Sequence, residues 1–467
     1  MSDVRSILIE GRAGPEQTLS YLHLPFEVPS GVTRIEVAYS YSDSIGSDPQ
    51  LTGGNTVDLG LFDPRGIDFP SVGFRGWSGS ARSSGFVSQD SATPGYMPGP
   101  IQPGTWHVLL GLYKVAQRGC DYRVEIALTI GESAANVDYP PLLPLDDTPH
   151  AQKRSANGWY RGDLHCHTVN SDGDSTPDEL IAHAESLGFN YLAITDHNVL
   201  THQIAMRKSK TPLMLIPGME VTTYKGHWNV WGEGGWIDFR ILSEDQMQQA
   251  VNTALERGYF ISCNHPKPFG PDWEFPAVQG FHCIEVWNGP WQVFNPTALA
   301  YWEERLRRGE RYVAVGGSDT HFLKREHRAK LGQPTTWIYC PGDPSPAALI
   351  NALRAGHAFV TESPDGPQIH FKAGDAMMGD AIQRPADGQL NVNVHVMNGS
   401  GTTLQLIGAS GCVFSDCVAG DDWQVRPTLH IGDTPYVRAQ LISTNGTVRA
   451  LTNPIYLNAA SETAAVE

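Results

Sequence analysis

The 467-residue sequence predicts an α/β domain set between two all-β domains. Three textures carry that prediction. Period-two alternation fills residues 1–148, apolar runs alternate with capped helices over 158–365, and helix signals disappear again over 366–467.

In the first region Ile35, Val37, Tyr39 and Tyr41 interleave with Arg34, Glu36, Ala38 and Ser40. Tyr122, Val124, Ile126, Leu128 and Ile130 interleave with Arg123, Glu125, Ala127 and Thr129 in the same way. Half-buried antiparallel strands have this period, and several of them separated by turn residues predict a β-sandwich. A Gly/Ser/Pro-rich stretch, Gly66 to Gly104, shows no periodicity; a loop that long inside a domain is usually functional or disordered. Residues 139–158 are proline-rich, and 149–157 are taken as the linker proper.

The central region opens with Thr176-Pro177-Asp178-Glu179, a capping box with proline at the first helical position. Leu180, Ile181, Ala184 and Leu187 then share one helical face ahead of Gly188. Ser243 with Gln246, Asn295-Pro296 and Ser345-Pro346 open further helices that end near Gly258, Gly309 and Gly356. Strand–helix alternation of this kind makes either a barrel or an open sheet. In the last region LNVNVHVMN, TLQLIGA, WQVRPTLHI, PYVRAQLIST and NPIYLN predict a second small β-sandwich.

Acidic residues outnumber basic ones 50 to 33, a formal charge of −17, so a nucleic acid is an unlikely partner by long-range electrostatics. The first residues lack a basic head followed by an apolar run, and no stretch approaches the ~18 apolar residues of a membrane helix. Seven scattered cysteines fit neither a disulfide framework nor a thiolate zinc site, although Cys412 and Cys417 could pair. The expectation is a cytoplasmic protein of undetermined oligomeric state.

The chemistry-bearing residues follow the central strands. On an extended strand His165 and His167 point to one side and Cys166 to the other. Asp172 lies in the SDG turn beyond. An apolar strand ends in Asp196-His197, and Glu220 follows another, where a buried charge needs a cation or a partner. His227 opens the next strand, His265 follows strand 259–263, and Asp319 and His321 repeat the i, i+2 relation. Nine imidazoles and carboxylates after strands would converge at one rim of a barrel. Without thiolates the set suits Zn, Mn or Fe.

These residues, in DLHCHTVNSDG, TDHN, GMEV, GHWN, NHP and SDTH, resemble the motifs of the PHP (polymerase and histidinol phosphatase) metallohydrolases over residues 158–361. The flanking β regions and the closing TNPIYL further resemble the carbaryl-hydrolase-type branch. The resemblance implies a distorted (β/α)7 barrel holding two to three metal ions. It assigns His165, His167, Glu220 and Asp319 to one ion, and Asp172, His197 and His321 to a second. Glu220, as a bridge, would hold a third with His227 and His265. Asp172 is a departure, since some family members carry histidine there.

A cluster of that kind implies a metal-bridging hydroxide as nucleophile, acting on a small phosphomonoester or phosphodiester. A carboxylic or carbamic ester is the alternative substrate, and a non-catalytic metal-containing binding protein the alternative of another class. Asp196 could orient a histidine or cap the next turn. Tyr224, Lys225, Lys267, Asn288, Arg325 and His327 are candidate substrate contacts, and Arg75, Trp77 and Arg82 of the long N-terminal loop are expected to shape the pocket.

Overall fold

The computed structural model describes residues 3–131, 155, 157–268, 272–342 and 344–458. Most of the expected linker therefore lies outside the described residues. The first region forms β1 (Asp3–Ala13), β2 (Ser20–Val28), β3 (Val32–Tyr41), β4 (Thr56–Phe62), β5 (Phe74–Gly79), β6 (Ser84–Ser88), β7 (Gly104–Lys114) and β8 (Cys120–Ile130). They make two antiparallel sheets, ordered β1-β8-β3-β6 and β2-β7-β4-β5. Ile35, Val37, Val57, Leu59, Trp106, Val124 and Ile126 fill the core between them. The supposedly aperiodic stretch holds two strands, β5 and β6. Register shifts between β4 and β5 break the side-chain alternation there, which hid β5 from a period-two reading.

β4 decides how this region meets the next. Every one of its residues is buried. Val57, Leu59 and Leu61 face the core just described, while Phe62, on the opposite face of the pleat, packs with Met219, Val221, Trp228 and Phe239 of the central region. Asp58 shares that second face and is carried into the junction with it.

The central region runs β9 (Trp159–Asp163), α1 (Pro177–Ser186), β10 (Tyr191–Ile194), α2 (His202–Met206), β11 (Met214–Thr223), β12 (Gly226–Trp231), α3 (Glu244–Glu256), β13 (Phe260–Cys263), β14 (Cys283–Asn288), α4 (Asn295–Arg307), β15 (Val313–Gly317), β16 (Thr335–Tyr339), α5 (Pro346–Arg354) and β17 (Ala358–Thr361). At α1, α3 and α5 the caps are those the sequence announces, whereas α4 has Phe294 at its N-cap with no side-chain bond and the Asn295 amide binds the backbone of Asn288 and Pro290. Thr176 and Glu179 exchange bonds at α1, Ser243 accepts from the Gln246 N–H at α3, and Ser345 accepts from the Ala348 N–H at α5.

Sheet order is β15-β14-β13-β12-β11-β10-β9-β16-β17. The fold is mixed α/β, but it departs from seven repeated βα units. Five helices connect nine strands among the described residues, and β12 and β16 run antiparallel to both neighbours. The two arms of the sheet meet beyond the carboxyl ends of β9 and β15. There the Asp319 N–H donates to the His165 carbonyl and the His167 N–H to the Thr320 carbonyl. Gly317 permits this approach, since a Cβ on it would sit 2.3 Å from that of His165.

The same sheet continues into the last region through 448–452, 436–442, 403–408 and 411–417. A second sheet of 376–377, 368–373, 393–397 and 422–425 closes a core that also takes in Trp159, Trp337 and Phe359. Cys412 and Cys417 are free: both lie on one extended strand, about 16 Å apart at ~3.3 Å per residue, beyond disulfide reach.

Asn453 ties the regions together. Its buried amide accepts from the Ala314 N–H at 2.7 Å and donates to the carbonyls of Ala314 at 3.1 Å and Ala358 at 3.0 Å. Asn453→Ala strands these three backbone groups and should cost about 2–4 kcal/mol. Differential scanning fluorimetry should show a midpoint lower by roughly 2–4 °C; a shift under about 0.5 °C would remove the tie from the account of stability.

Candidate metal centre

The nine polar side chains marked in the sequence meet in one place. His165 and His167 follow β9, and their intervening Cys166 turns away into an apolar cluster with Leu180 and Leu192. His197 follows β10, His265 follows β13, and Asp319 and His321 follow β15. The β11–β12 hairpin sets Thr222 opposite His227, so Glu220, two residues back on the same face, stands beside that imidazole. Three groups result: His165, His167, Glu220 and Asp319; His167, Asp172, His197 and His321; and Glu220, His227 and His265.

Glu220 is the common point. Its fully buried carboxylate lies 2.7 Å from His197 Nδ1, 3.3 Å from His227 Nδ1 and His265 Nε2, 3.4 Å from His165 Nε2 and 3.6 Å from His167 Nε2. His265 and Asp319 hold positive backbone φ, 26° and 52°. Left-handed backbone is costly for histidine, and such strain persists where the surroundings over-determine it.

Hydrogen bonds fix where the imidazole lone pairs point. His165 Nδ1 donates to Glu285 Oε1 at 2.8 Å, which leaves its buried Nε2 facing Glu220 at 3.4 Å and Asp319 at 3.3 Å with no hydrogen bond. His321 Nδ1 donates to the Asp319 carbonyl at 2.9 Å, and its Nε2 lies 3.3 Å from His197 Nε2. Two ring nitrogens that close, and one aimed at two carboxylates, repel unless a cation or proton lies among them. The donor set is imidazole and carboxylate, so the residues fit Zn, Mn or Fe.

Titration follows the same field. Burial disfavours a charged Glu220, yet His165, His197 and His227 hold its carboxyl well below the usual range. Burial opposes a proton on His197 as well, but Asp172 and Glu220 lift it to about 9. Burial and the neighbouring His321 and His197 push His167 down to about 4. A centre that draws protons this strongly offers cations the same attraction, and their binding releases those protons.

Three supporting groups escaped the sequence reading. Glu285 orients His165 and accepts from the His265 N–H. Asp163 accepts from the N–H groups of His165, Ser318 and Gly332, pinning the ends of both arms. The Asn264 side chain donates to Glu220 at 3.1 Å. Glu285 left a signal: a lone carboxylate in the otherwise apolar strand CIEVWN is costly without a partner.

Several expected contacts have other work. Asp196 accepts from Thr168 and Ser171 and stands 3.1 Å from His202, which makes it the cap of the 168–171 turn and not the orienter of a clustered histidine. Lys267 is buried and donates to Asn288 and Asn295, burial bringing its ammonium down to about 8. Asn288 donates to Glu285 and Asp319. Lys225 lies 4.0 Å from Glu274, away from the cluster. Arg325 is stacked on Phe322, and exposed His327 packs edge-on to the same ring. Arg75 is fully buried, with its guanidinium bound to the carbonyls of Met97, Gly99 and Pro100, because a buried cation needs such acceptors. Arg82 donates to the carbonyls of Val169 and Ser171 and clamps the loop that bears Asp172.

Tyr224 and Trp77 do face a cavity of about 670 Å³ between the first and central regions, whose floor includes Asp172, His197 and His227. The Tyr224 hydroxyl donates to Asp58 at 2.8 Å. Burial pushes the Asp58 carboxyl up to about 7, against the lowering effect of that bond.

Comparison with known proteins matches residues 163–259 to the PHP domain, so the chain carries one. It is 43% identical over 142 residues to the 5'-3' exoribonuclease Rnm of Salmonella typhimurium, covering 29% of this chain and 44% of that protein. It is 36% identical over 96 residues to a 5'-3' exoribonuclease of Haemophilus influenzae, covering 20% of this chain and 32% of that protein. The chain thus spans less than half of each of these relatives. A two-domain protein of Bacteroides vulgatus, containing a predicted PHP-like metal-dependent phosphoesterase, aligns at 17% identity and a TM-score of 0.35, over 70% of this chain and all of that one. The relatives' names point to RNA, against the expectation set by the net charge. No helix among the described residues is long and apolar enough to cross a membrane.

Arg82→Ala should free the Asp172 loop while leaving Glu220 and its histidines in place. Metal content by plasma mass spectrometry should fall by about one ion per chain, an outer-partner loss of roughly 10–100-fold in affinity at that position. Unchanged stoichiometry and affinity would mean the clamp is dispensable.

Asp58 has the opposite pH signature from a salt-bridged acid. Its folded pKa of about 7 exceeds the unfolded value of ~3.9, so its favourable contribution is complete below pH 4 and is lost as pH rises through 7. Asp58→Asn retains an acceptor for Tyr224 and cannot ionise. Relative to wild type it should gain on the order of 2–4 kcal/mol between pH 5 and 9. A variant-minus-wild-type difference that stays flat with pH would contradict this.

Proposed function

We propose that the PHP domain of this chain, with the strands that follow it, is the catalytic centre of a metal-dependent phosphoesterase acting on a small phosphomonoester or phosphodiester. The carrying observation is the convergence of nine imidazoles and carboxylates from separate strands, with ring lone pairs aimed inward at shared acids. Two to three Zn, Mn or Fe ions suit that donor set. When bound, such ions polarise phosphoryl oxygens and make water acidic enough to attack near neutral pH.

The chain's own residues supply the frame. His165, His167, Glu220 and Asp319 form the innermost group, and Asp172, His197 and His321 the group nearest the cavity. Glu285 and Asn288 fix the orientation of His165 and Asp319, so little rearrangement is needed when substrate arrives. Burial of Glu220, His165 and His167 keeps bulk water from competing for them.

A second reading, attack on the terminal phosphodiester of an RNA chain, is favoured by the identity to the two exoribonucleases. Both readings need the same centre and differ in what lies beyond the phosphate.

The test begins with full-length protein stripped by chelation and reloaded with Zn or Mn. Hydrolysis of p-nitrophenyl phosphate or its bis ester should vanish on stripping and return on reloading. Glu220→Gln should lose at least about 100-fold in kcat/KM together with bound metal. Cleavage of naphthyl carbamate alone would move the activity to carboxylic or carbamic esters. A fully metallated protein inert towards every ester would leave a binding protein.

A further inference from the structure

The cavity above the cluster is walled mainly by the first region. Tyr41, the 44–49 turn, Asp58, the 77–81 turn and Tyr113 stand opposite Asp172, His197 and His227. Among the described residues none that lines it is lysine or arginine. The only acids among those described lining residues are Asp58 on the wall and Asp172 at the floor.

The wall is built, not a chance gap. Tyr113 stacks on Tyr224 at 5.4 Å, and Tyr224 stacks on Tyr21 at 5.2 Å, an aromatic ladder running from the first region into the β11–β12 hairpin. Asp58 is held at its edge by the Tyr224 hydroxyl. The 44–51 loop is fastened by the Thr56 hydroxyl to the carbonyls of Ile45 and Gly46. The Lys114 ammonium donates to the carbonyls of Gly46, Asp48 and Leu51. Lys114 and Arg82, both at the margin of the wall, thus give their charge to backbone oxygens instead of a ligand.

Resting on the phosphoesterase reading, we propose that this cavity receives the alcohol part of the substrate, and that the substrate is an ester with one phosphate and a compact, neutral, aromatic or hydroxylated alcohol. Proteins that hold single-stranded nucleic acid combine aromatic platforms with cationic grooves along the backbone. Here the aromatics and the Ser44, Ser47 and Ser80 hydroxyls are present, but the described lining residues include no lysine or arginine. A second phosphate placed against this wall would meet Asp58 and the field of a chain with formal charge −17. A cavity of about 670 Å³ takes a small ligand, within the ~300–1,000 Å³ usual for such sites. The chain would then share its cutting centre with the exoribonucleases but not their substrate.

Kinetics on the metal-loaded full chain test this with phenyl phosphate and a 5'-phosphorylated tetraribonucleotide. Phenyl phosphate should be preferred at least tenfold in kcat/KM. Tyr113→Ala should raise its KM about tenfold with a smaller change in kcat, the pattern for lost binding of the alcohol. Ser47→Lys, which adds a cation to the wall, should shift the ratio of efficiencies towards the tetranucleotide by tenfold or more. Saturation-transfer NMR supplies a readout independent of turnover: the phenyl protons should receive saturation from wild type and much less from Tyr113→Ala. A tetranucleotide cleaved as well as phenyl phosphate, or equal saturation in both proteins, overturns the proposal and leaves the phosphoesterase reading intact. If no phosphoester is turned over, that reading falls, and the NMR comparison still decides whether the cavity binds the phenyl group.

Discussion

One buried carboxylate organises the molecule. Glu220 is removed from water in the middle of a central sheet and is faced by five imidazoles from three other strand ends and a hairpin. Isolated burial of that charge would be prohibitive, and the surrounding imidazoles supply positive character to it. The two arms of the sheet are drawn together beyond β9 and β15, and Gly317 lets the backbones approach. Left-handed backbone at His265 and Asp319 turns both side chains inward at the same place. The strain is localised where the clustered imidazoles and carboxylates converge, as strained backbone commonly is at candidate sites.

Around this centre a second set of groups holds the first in orientation. Glu285 and Asp163 are buried like Glu220, and each accepts several hydrogen bonds from the strand ends. Their role is to choose tautomer and direction, which determines whether the inward nitrogens present lone pairs. The arrangement is therefore specified at two depths, and the outer depth comes from strands β9 and β14 that also build the apolar core.

The first region is part of the site and more than an appendage. β4 buries both of its faces, one in its own core and one against the central region, and that second face delivers Asp58. Arg82 reaches across to the loop of Asp172. The cavity between the regions consequently has Asp172, His197 and His227 at its floor and an aromatic, hydroxyl-lined wall whose described residues include no lysine or arginine. In the reading proposed above, substrate size and charge are set by a part of the chain that carries none of the nine clustered side chains.

The sequence alone determined the caps of α1, α3 and α5, the strand alternation in the first and last regions, and the nine side chains that meet in one cluster. Those signals are local: a capping box needs four residues, a pleat needs two-residue spacing, and a charge ending an apolar strand stands out by itself. What only tertiary structure decided is everything that depends on two distant segments sharing space. Antiparallel β12 and β16, the strands inside the Gly/Ser/Pro-rich stretch, and the continuity of the central sheet into the last region are such cases. Arg75, Arg82, Lys225, Lys267, Arg325 and His327 belong to the same class. A cation near a motif in sequence can be claimed by backbone carbonyls, by an amide or by a ring, and which acceptor lies within 3 or 4 Å is a property of packing that no local pattern encodes.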